Sequence, residues 1–445
     1  MKQRWVAFAL IALYLGIGVA AGAATEKIFP YTYHQTVLEN GLTVILIPME
    51  SPGIVAYYSV VRTGSRDEYE PGHSGFAHFF EHMMFRGTKS YPGPVYDKLM
   101  TEMGADANAF TSSDITCYHL KIATDDLEKV MELESDRFRN LSYAEDAFKT
   151  EAGAVHGEYL KSLSSPGFVL HENLLNTAFD QHTYKHTTIG FGRDVEAMPT
   201  MYEYSKSFFN RYYRPENVVL LIVGDIKPEP TLALVRKYYS DWQKGYVPPQ
   251  VPKEPEQTAA RRADADFQGR TLPIMAVAYK SLGFDPDNTS LAACLLLGDL
   301  AFGETSDIYK KLVIEEQRVQ FLSPSFGPSR DPGLVTVYTM VKDTADVAAI
   351  EKEIYQTIEY YQANRVDEAR LKDLKSNVRY GFLMGLDTPG NVAGGLTSLL
   401  AISGNMDVVD RFYATLNQVT TQDIMDAAKT FLAKEKRTVV LVKGR

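Results

Sequence analysis

Two pairs of segments in this sequence repeat each other, and they constrain the fold more than any other feature. Residues 218–224 (VVLLIVG) resemble residues 438–444 (TVVLVKG), and each segment follows a stretch of helical periodicity. Residues 77–82 (AHFFEH) align in the same way with residues 293–298 (ACLLLG). We therefore predict a duplicated unit, in which the second copy keeps the apolar helix and loses its polar groups.

Strand and helix patterns alternate within each copy. Runs rich in β-branched and aromatic residues occupy 41–48 and 54–61, and long helical patterns follow from 126 to 161. The same order returns in the second copy, where the long helices extend from 344 to 431. This mixture predicts an α+β fold with two homologous domains, each a mostly antiparallel sheet packed with helices.

The expected domain boundaries follow from composition. Residues 246–260 (YVPPQVPKEPEQTAA) are rich in proline and lack either periodicity, as linkers between domains usually do. We predict an N-terminal domain at residues 24–245, a linker at 246–262 and a C-terminal domain at 263–445.

The first residues have the features of a signal peptide. Lys2 and Arg4 precede an apolar stretch at 5–20, and residues 21–23 (AGA) match a signal-peptidase site. We predict a signal peptide at 1–23, export to the periplasm and no stable membrane insertion after cleavage. An uncleaved signal anchor is the alternative.

Charge and cysteine content exclude two classes of site. The chain has 46 Lys and Arg residues against 56 Asp and Glu residues, so the basic surface that nucleic acid requires is not expected. Its two cysteines are too few for a disulfide framework or a cysteine-rich metal site. Any metal would therefore be bound by histidine and carboxylate side chains.

The polar residues of the first copy form a metal-binding pattern. His78 and His82 are one helical turn apart, so both imidazoles project from one face and can bind one zinc ion. Glu81 precedes the second histidine and lies close enough to contact a zinc-bound water without being a ligand. The segment therefore supplies two ligands and a candidate general base.

A third ligand must come from another segment, because a catalytic zinc has three protein ligands and one open position. Glu151 and Glu158 lie two turns apart on one face of the helical stretch 144–163. From spacing alone, either carboxylate can reach a neighbouring helix and complete the site.

Together these motifs resemble the insulinase, pitrilysin and mitochondrial-processing-peptidase family of zinc metallopeptidases. The inverted zinc motif HFFEH is followed by FRGT at 85–88, NAFT at 108–111 and YRPEN at 213–217. The resemblance extends through most of the chain beyond the signal peptide.

The resemblance implies a role for each site residue. His78, His82 and Glu158 would bind one Zn²⁺ per chain, since Glu158 falls at the position of the family's third ligand. Glu81 would act as general base, and Glu151 would orient the ligands.

A substrate-binding strand is also implied. In the family, the strand that carries the Asn-Ala-Phe pattern is an edge strand that binds extended peptides main chain to main chain. This role passes to Asn108, Ala109 and Phe110. The implied function is a zinc-dependent endopeptidase that hydrolyses short or unfolded peptides in a closed chamber.

One departure from the family pattern concerns an Arg and a Tyr that the second half of self-sufficient relatives contributes to substrate binding. Val313 stands at the Arg position here, and Gln320 or Phe321 at the Tyr position. The resemblance therefore implies a heterodimer with a homologous subunit that supplies the Arg and Tyr, a homodimer being less favoured. Two other classes stay open: a structural or assembly subunit, and a peptide-binding module, each retaining the peptidase fold.

Overall fold

The computed structural model describes residues 27–445, and the signal peptide expected at 1–23 lies outside them. Within these residues, the first half of the chain forms a six-stranded sheet. Its strands are β1 (His34–Val37), β2 (Thr43–Pro48), β3 (Ile54–Val61), β4 (Asp106–Thr111), β5 (Thr116–Ala123) and β6 (Val218–Gly224). The second half forms a five-stranded sheet. Its strands are β7 (Arg261–Phe267), β8 (Ile274–Lys280), β9 (Val319–Ser325), β10 (Leu334–Val341) and β11 (Arg437–Gly444).

The two sheets share one topology. Their strand orders are β1-β2-β6-β3-β5-β4 and β7-β11-β8-β10-β9, so β6 and β11 take equivalent interior positions. In each sheet one neighbouring pair is parallel, β2 with β6 and β7 with β11, and every other pair is antiparallel. The repeated segments 218–224 and 438–444 lie in these equivalent strands. The predicted fold class, two α+β domains with mostly antiparallel sheets, is confirmed.

Helices connect and cover the strands. In the first half they are α1 (Phe76–Met83), α2 (Gly93–Glu102), α3 (Leu127–Asn140), α4 (Glu145–Ser162), α5 (Pro166–Ala178), α6 (Gly192–Ala197), α7 (Tyr202–Tyr212) and α8 (Pro228–Tyr239). In the second half they are α9 (Thr289–Phe302), α10 (Asp307–Tyr309), α11 (Val347–Ala363), α12 (Glu368–Met384), α13 (Pro389–Ser403), α14 (Asp407–Gln418) and α15 (Thr421–Phe431). A π-helical segment, Lys310–Glu315, continues α10.

Each sheet carries helices of its own half on one face. Apolar side chains of α1, α3, α4, α7 and α8 pack against β2, β3 and β6 of the first sheet. Side chains of α9, α11 and α15 pack against β8, β10 and β11 of the second sheet. The first of these two cores fixes the position of α1, the helix that carries the zinc motif.

The opposite face of each sheet is covered by a helix from the other half. Leu396 of α13 lies in one apolar cluster with Leu221 of β6, on the first sheet. Leu170 of α5 lies in one cluster with Val440 of β11, on the second sheet. The two halves thus exchange one helix each, and the central strands are buried on both faces. This burial accounts for the almost continuous apolar sequence of β6 and β11.

The proline-rich segment 246–260 contains no helix or strand. Glu254 fixes it to the body of the protein, because its carboxylate accepts hydrogen bonds of 2.9–3.1 Å from the backbone N–H groups of residues 180–182. The same carboxylate pairs with Lys280 Nζ at 2.8 Å. The linker limits at 246–262 stay a prediction.

Residues 27–445 contain no single helix that is long and apolar enough to cross a membrane. The helices α13 and α14, bent by 92° with respect to each other, satisfy the length and composition criteria only when counted as a pair. Both contribute buried side chains to the core on the first sheet.

A left-handed residue ends the turn before each edge strand β4 and β9. Residues 98–104 (KLMTEMG) and 311–317 (KLVIEEQ) precede these equivalent strands, and Gly104 has φ 62° where Gln317 has φ 52°. Gln317 is the one non-glycine residue with positive φ in the described chain. The duplication therefore extends to this turn, where the second copy keeps the conformation without the glycine.

Candidate active site

The helix α1 is amphipathic: one face is apolar and buried, and the other carries the polar residues of the zinc motif. Phe76, Ala77, Phe79, Phe80 and Met83 are buried in the first core. The remaining face presents the two histidines and the glutamate of the motif, and the two imidazole ring centroids are 4.8 Å apart. Packing of the apolar face therefore fixes the direction in which the polar side chains project.

Three side chains converge on one point beside α1. One ligand atom each of His78, His82 and Glu158 lies within 4.8 Å of the other two. Glu158 Oε2 lies 3.5 Å from His82 Nε2 and 3.8 Å from His78 Nε2. Ligand atoms at Zn–N and Zn–O distances of about 2.0–2.1 Å in a tetrahedral site lie roughly 3.3 Å apart. The two imidazoles and the carboxylate therefore fit zinc in type and in spacing.

Glu151, one of the two helical carboxylates, is buried behind this group. Its Oε1 lies 2.9 Å from His82 Nδ1, and its Oε2 accepts hydrogen bonds from the guanidinium of Arg86, with Nε at 2.6 Å. An ionised carboxylate can only accept, so His82 carries a proton on Nδ1 and its Nε2 is the ring atom that lies 3.5 Å from Glu158. The structure places Glu151 behind the histidine and Glu158 beside both imidazoles.

The pKa values of the two imidazoles are shifted in opposite directions. Burial, together with the neighbouring His82, lowers the pKa of His78 to about 4. The hydrogen bond to Glu151 raises the pKa of His82. Burial alone would raise the pKa of Glu151, but the hydrogen bonds from His82 and Arg86 outweigh it and lower that pKa. Glu151 therefore stays ionised and orients His82.

Glu81 lies on the same face of α1 and outside the group of three. Its Oε2 accepts a 2.7 Å hydrogen bond from the hydroxyl of Thr111, the last residue of β4. Burial raises the pKa of Glu81, and the Thr111 hydrogen bond opposes that rise. A half-buried carboxylate of raised pKa next to a candidate metal site has the properties of a general base.

The strand β4 forms one edge of the first sheet. Side chains alternate along it, so Ala109 and Thr111 face the core that contains α1, whereas Asn108 and Phe110 face the other side. The Phe110 ring packs near the ring of His119, with centroids 6.1 Å apart. Asn108 Oδ1 accepts a 2.8 Å hydrogen bond from the N–H of Ala109. Thr111 of this strand therefore bonds to Glu81, whereas the side chains of Asn108 and Phe110 lie on the opposite face of the strand.

The positions expected for the Arg and Tyr of the family carry no equivalent groups. Val313 packs against the second core, and Gln320 is exposed on β9. Arg318, the nearest arginine in sequence, is bonded to Glu353 at 2.9 Å and to Asp346 at 3.0 Å. Its guanidinium is therefore already engaged in ion pairs.

Two residues of the site were missed by sequence reasoning. Thr111 and Arg86 belong to the segments 108–111 and 85–88 that carry the resemblance, but neither had an expected role. Their contacts with Glu81 and Glu151 depend on how β4 and α4 pack beside α1, which no local pattern shows. The two cysteines, Cys117 and Cys294, are free and buried.

Comparison with known proteins places the chain in a family. Residues 47–191 match the family model "Insulinase (Peptidase family M16)", and residues 201–378 match "Peptidase M16 inactive domain". The zinc protease PqqE of Helicobacter pylori is 29% identical over 436 residues, which cover 96% of each protein. The crystal structure of a protease from Helicobacter pylori, 27% identical, has a TM-score of 0.87 and covers 93% of this chain and 99% of that one.

A longer protein contains the same fold. The structure of the periplasmic protease PqqL from Escherichia coli is 19% identical with a TM-score of 0.74, and the match covers 94% of this chain but 48% of that one. The two family models account for both halves of the present chain, in agreement with the duplicated sheets. The chain therefore belongs to the insulinase family of zinc metallopeptidases.

Proposed function

We propose that this chain is a zinc-dependent endopeptidase that hydrolyses short or unfolded peptides. The observation that carries the proposal is the convergence of His78, His82 and Glu158 within 4.8 Å, with Glu81 on the same helical face. Family membership and a relative named as a zinc protease support it.

The chemistry follows from the arrangement of these side chains. His78, His82 and Glu158 would hold the ion, and zinc in such a site polarises a carbonyl oxygen and acidifies water. Glu81 accepts the proton of the attacking water and later gives it to the leaving amine, a contribution of roughly 10²- to 10⁴-fold in rate. Thr111 holds one oxygen of Glu81, which leaves the other available for that proton.

The substrate would bind as an additional strand at the free edge of β4. An extended peptide can bond there to the outward backbone groups of residues such as Ala109, which places its scissile bond near α1. Before that, the peptide must displace Asn108 Oδ1 from the N–H of Ala109. Recognition through the main chain suits peptides without a fixed fold and of varied sequence.

Two variants separate metal binding from catalysis. We expect Glu81→Gln to retain zinc and lose turnover by at least about 10²-fold, because only the base is removed. His78→Ala should lose both zinc and turnover, and Glu145→Gln, an exposed change at the start of α4, should affect neither. Zinc content by atomic spectroscopy and cleavage of a mixed peptide library by mass spectrometry give the two readouts. Activity of metal-free Glu81→Gln protein would contradict the mechanism.

We further propose that the active form is a heterodimer with a homologous subunit that supplies an Arg and a Tyr. The absence of such groups at Val313 and Gln320 supports this proposal. Cleavage of the library by the purified, zinc-loaded chain alone would contradict it, and activity that returns only with a second subunit would support it. A homodimer would be active alone with second-order dependence on protein concentration.

Export is part of the proposal, with the signal at residues 1–23 removed in the periplasm. Cell fractionation and N-terminal sequencing of the mature protein test it.

A non-catalytic assembly subunit or peptide-binding module is the competing proposal. It requires a chain that binds peptides or partners but cleaves nothing when zinc and the second subunit are present.

A further inference from the structure

A buried carboxylate that the proposed chemistry does not use lies at the start of α1. Glu68 is 3% exposed and precedes the helix in the chain. Its Oε2 accepts a hydrogen bond from the N–H of Gly75, and its Oε1 accepts one from the N–H of Ala77, both at 2.6 Å. Gly75 is the N-cap of α1 and Ala77 its second residue, so one carboxylate binds the first turn at two points.

Glu68 has little else to bind in the described chain. The one Lys, Arg or His nitrogen within 4 Å is His186 Nδ1, at 3.9 Å, and this atom also lies 2.9 Å from the carbonyl of Thr187. Burial raises the pKa of Glu68, and the two N–H groups oppose the rise. An acidic group kept in so unfavourable a place, with both oxygens on one helical turn, is expected to serve that turn.

The same turn is held from a second side. Ser74 Oγ donates a 2.7 Å hydrogen bond to Asp194 and accepts one of 2.8 Å from the N–H of Phe191. Gly75 has φ 97°, and a Cβ atom added to it would lie 2.6 Å from the carbonyl oxygen of Ile189. The backbone at the start of α1 is therefore closely confined.

The two histidines of the motif are oriented by different means. His82 is held by its own hydrogen bond to Glu151. His78 Nδ1 is buried and has no hydrogen-bond partner among the described residues, so its ring depends on packing and on the position of the backbone. That backbone directly follows Ala77, the residue that Glu68 binds.

We propose that Glu68 is a positioning residue for the metal site: its two hydrogen bonds fix the first turn of α1 and thereby the place of His78 relative to Glu158. The inference rests on the proposed zinc site and deepens it. Glu68 does not touch the ion and acts only through the backbone of Gly75 and Ala77.

The near-isosteric change Glu68→Gln tests this directly. A glutamine has one carbonyl oxygen and one NH₂ group, so one of the two backbone N–H groups would face a donor. We expect the dissociation constant for Zn²⁺, measured by competition with a chromophoric chelator, to rise by at least about tenfold, as for other residues that orient ligands. The visible absorption of the Co²⁺-loaded protein should change, because it reports the ligand geometry.

A matched control is available in the same core. Glu134 is also fully buried and binds Tyr96 at 2.8 Å and Arg137 at 2.6 Å, with no hydrogen bond to α1. Glu134→Gln loses a buried carboxylate in the same way, so it should lower stability yet leave the Zn²⁺ affinity and the Co²⁺ spectrum unchanged. If Zn²⁺ affinity fell only because the protein was less stable, it would fall in both variants.

The measurements on these variants decide whether Glu68 positions the metal site. Zn²⁺ affinity within twofold of the natural protein and an unchanged Co²⁺ spectrum in Glu68→Gln would overturn the proposal, as would equal effects in Glu134→Gln. If Glu68→Gln does not fold, Glu68→Asp decides by the same two readouts, because it keeps both oxygens but retracts them from the turn. Failure of the zinc-loaded natural chain to cleave peptides when the second subunit is present would count against the peptidase alone. Failure of the natural chain to bind Zn²⁺ would overturn the metal site and this inference with it.

Discussion

The hydroxyl of Thr111 donates a 2.7 Å hydrogen bond to Glu81 Oε2, and so joins the free edge strand of the first sheet to the candidate general base. A peptide added to β4 would be held by the same strand that orients the base. Binding and proton transfer would then share one rigid element, which favours a fixed geometry between the scissile bond and Glu81.

Thr111→Val removes this hydrogen bond at almost constant volume. We expect kcat to fall by roughly tenfold, near the 1.4 kcal/mol of one such bond, with little change in KM or zinc content. The Thr111 bond lowers the pKa of Glu81, so its loss raises that pKa. The acid limb of the kcat/KM profile should therefore move to higher pH. Thr111→Ser keeps the hydroxyl and should restore both values, and equal rates in Val and Ser variants would contradict the role.

Glu151→Gln should weaken metal binding without removing a ligand. The amide can no longer accept from both His82 Nδ1 and Arg86, so the His82 ring loses its fixed orientation. We expect the Zn²⁺ dissociation constant to rise roughly 10- to 100-fold, measured by chelator competition. Glu145→Gln, an exposed change on the same helix, is the control, and identical affinities in the two variants would argue against this contact.

Glu254 gives the protein a predictable sensitivity to acid. Burial alone would raise the pKa of Glu254, but the hydrogen bonds from the backbone at 180–182 and from Lys280 outweigh it and lower the pKa to about 2. A carboxylate with a lowered native pKa stabilises the fold above its unfolded value of 4.5, and the stabilisation is lost as the pH falls from there towards 2.

Glu254→Gln should therefore lower the free energy of unfolding by about 2 kcal/mol at pH 7, and by much less near pH 2–3. Urea unfolding at the two pH values measures the difference. Glu256→Gln, an exposed change two residues away, should leave stability the same at both. A loss for Glu254→Gln that does not depend on pH would show that the carboxylate's charge is not the cause.

The paired turns at Gly104 and Gln317 predict opposite effects of simple substitutions. A left-handed conformation costs an L-residue about 1–2 kcal/mol, a cost that glycine avoids. The greater entropy of glycine in the unfolded state reduces this gain by about 0.5–1 kcal/mol. Gln317→Gly should stabilise the protein by up to about 1 kcal/mol. Gly104→Ala should destabilise it by about 1 kcal/mol, since a Cβ there meets no atom within 4 Å and only the backbone conformation is at stake.

Urea unfolding of both variants checks the pair. Gly53 also has positive φ, 75°, and a Cβ atom added to it would meet no atom within 4 Å. Gly53→Ala, in an exposed turn, is therefore a control that should match Gly104→Ala. Changes of the same sign for Gln317→Gly and Gly104→Ala would contradict the argument.

Local periodicity accounts for what the sequence predicted well. The strand at 54–61 has the expected limits, and the helical stretch 144–163 became α4 (Glu145–Ser162) with its two predicted carboxylates towards α1. Both elements have apolar spacing that matches one regular structure. Strand β7 was not expected because the alternating charges of RRADADF resemble a polar loop, and only pairing with β11 makes it a strand.

Contacts between distant segments could not be predicted in this way. Glu68 and Thr111 are ordinary polar residues in sequence, and their partners at Gly75, Ala77 and Glu81 are set by the packing of a loop and a strand around α1. The histidines of the zinc motif are spaced so that a helix by itself places both on one face. Glu68 and Thr111 have no such spacing, which is why the resemblance implied metal ligands but no role for these two residues.

The helices α5 and α13, each packed on the sheet of the other half, have a consequence for what a duplication means in this chain. Two copies of a domain can usually be separated and expressed alone. Here either half expressed alone would have a sheet with one apolar face exposed to solvent. It would also have a helix whose apolar side chains lack a sheet to pack against. Each half of the duplication therefore depends on the other for its packing, and only co-expression of the two fragments would restore the structure.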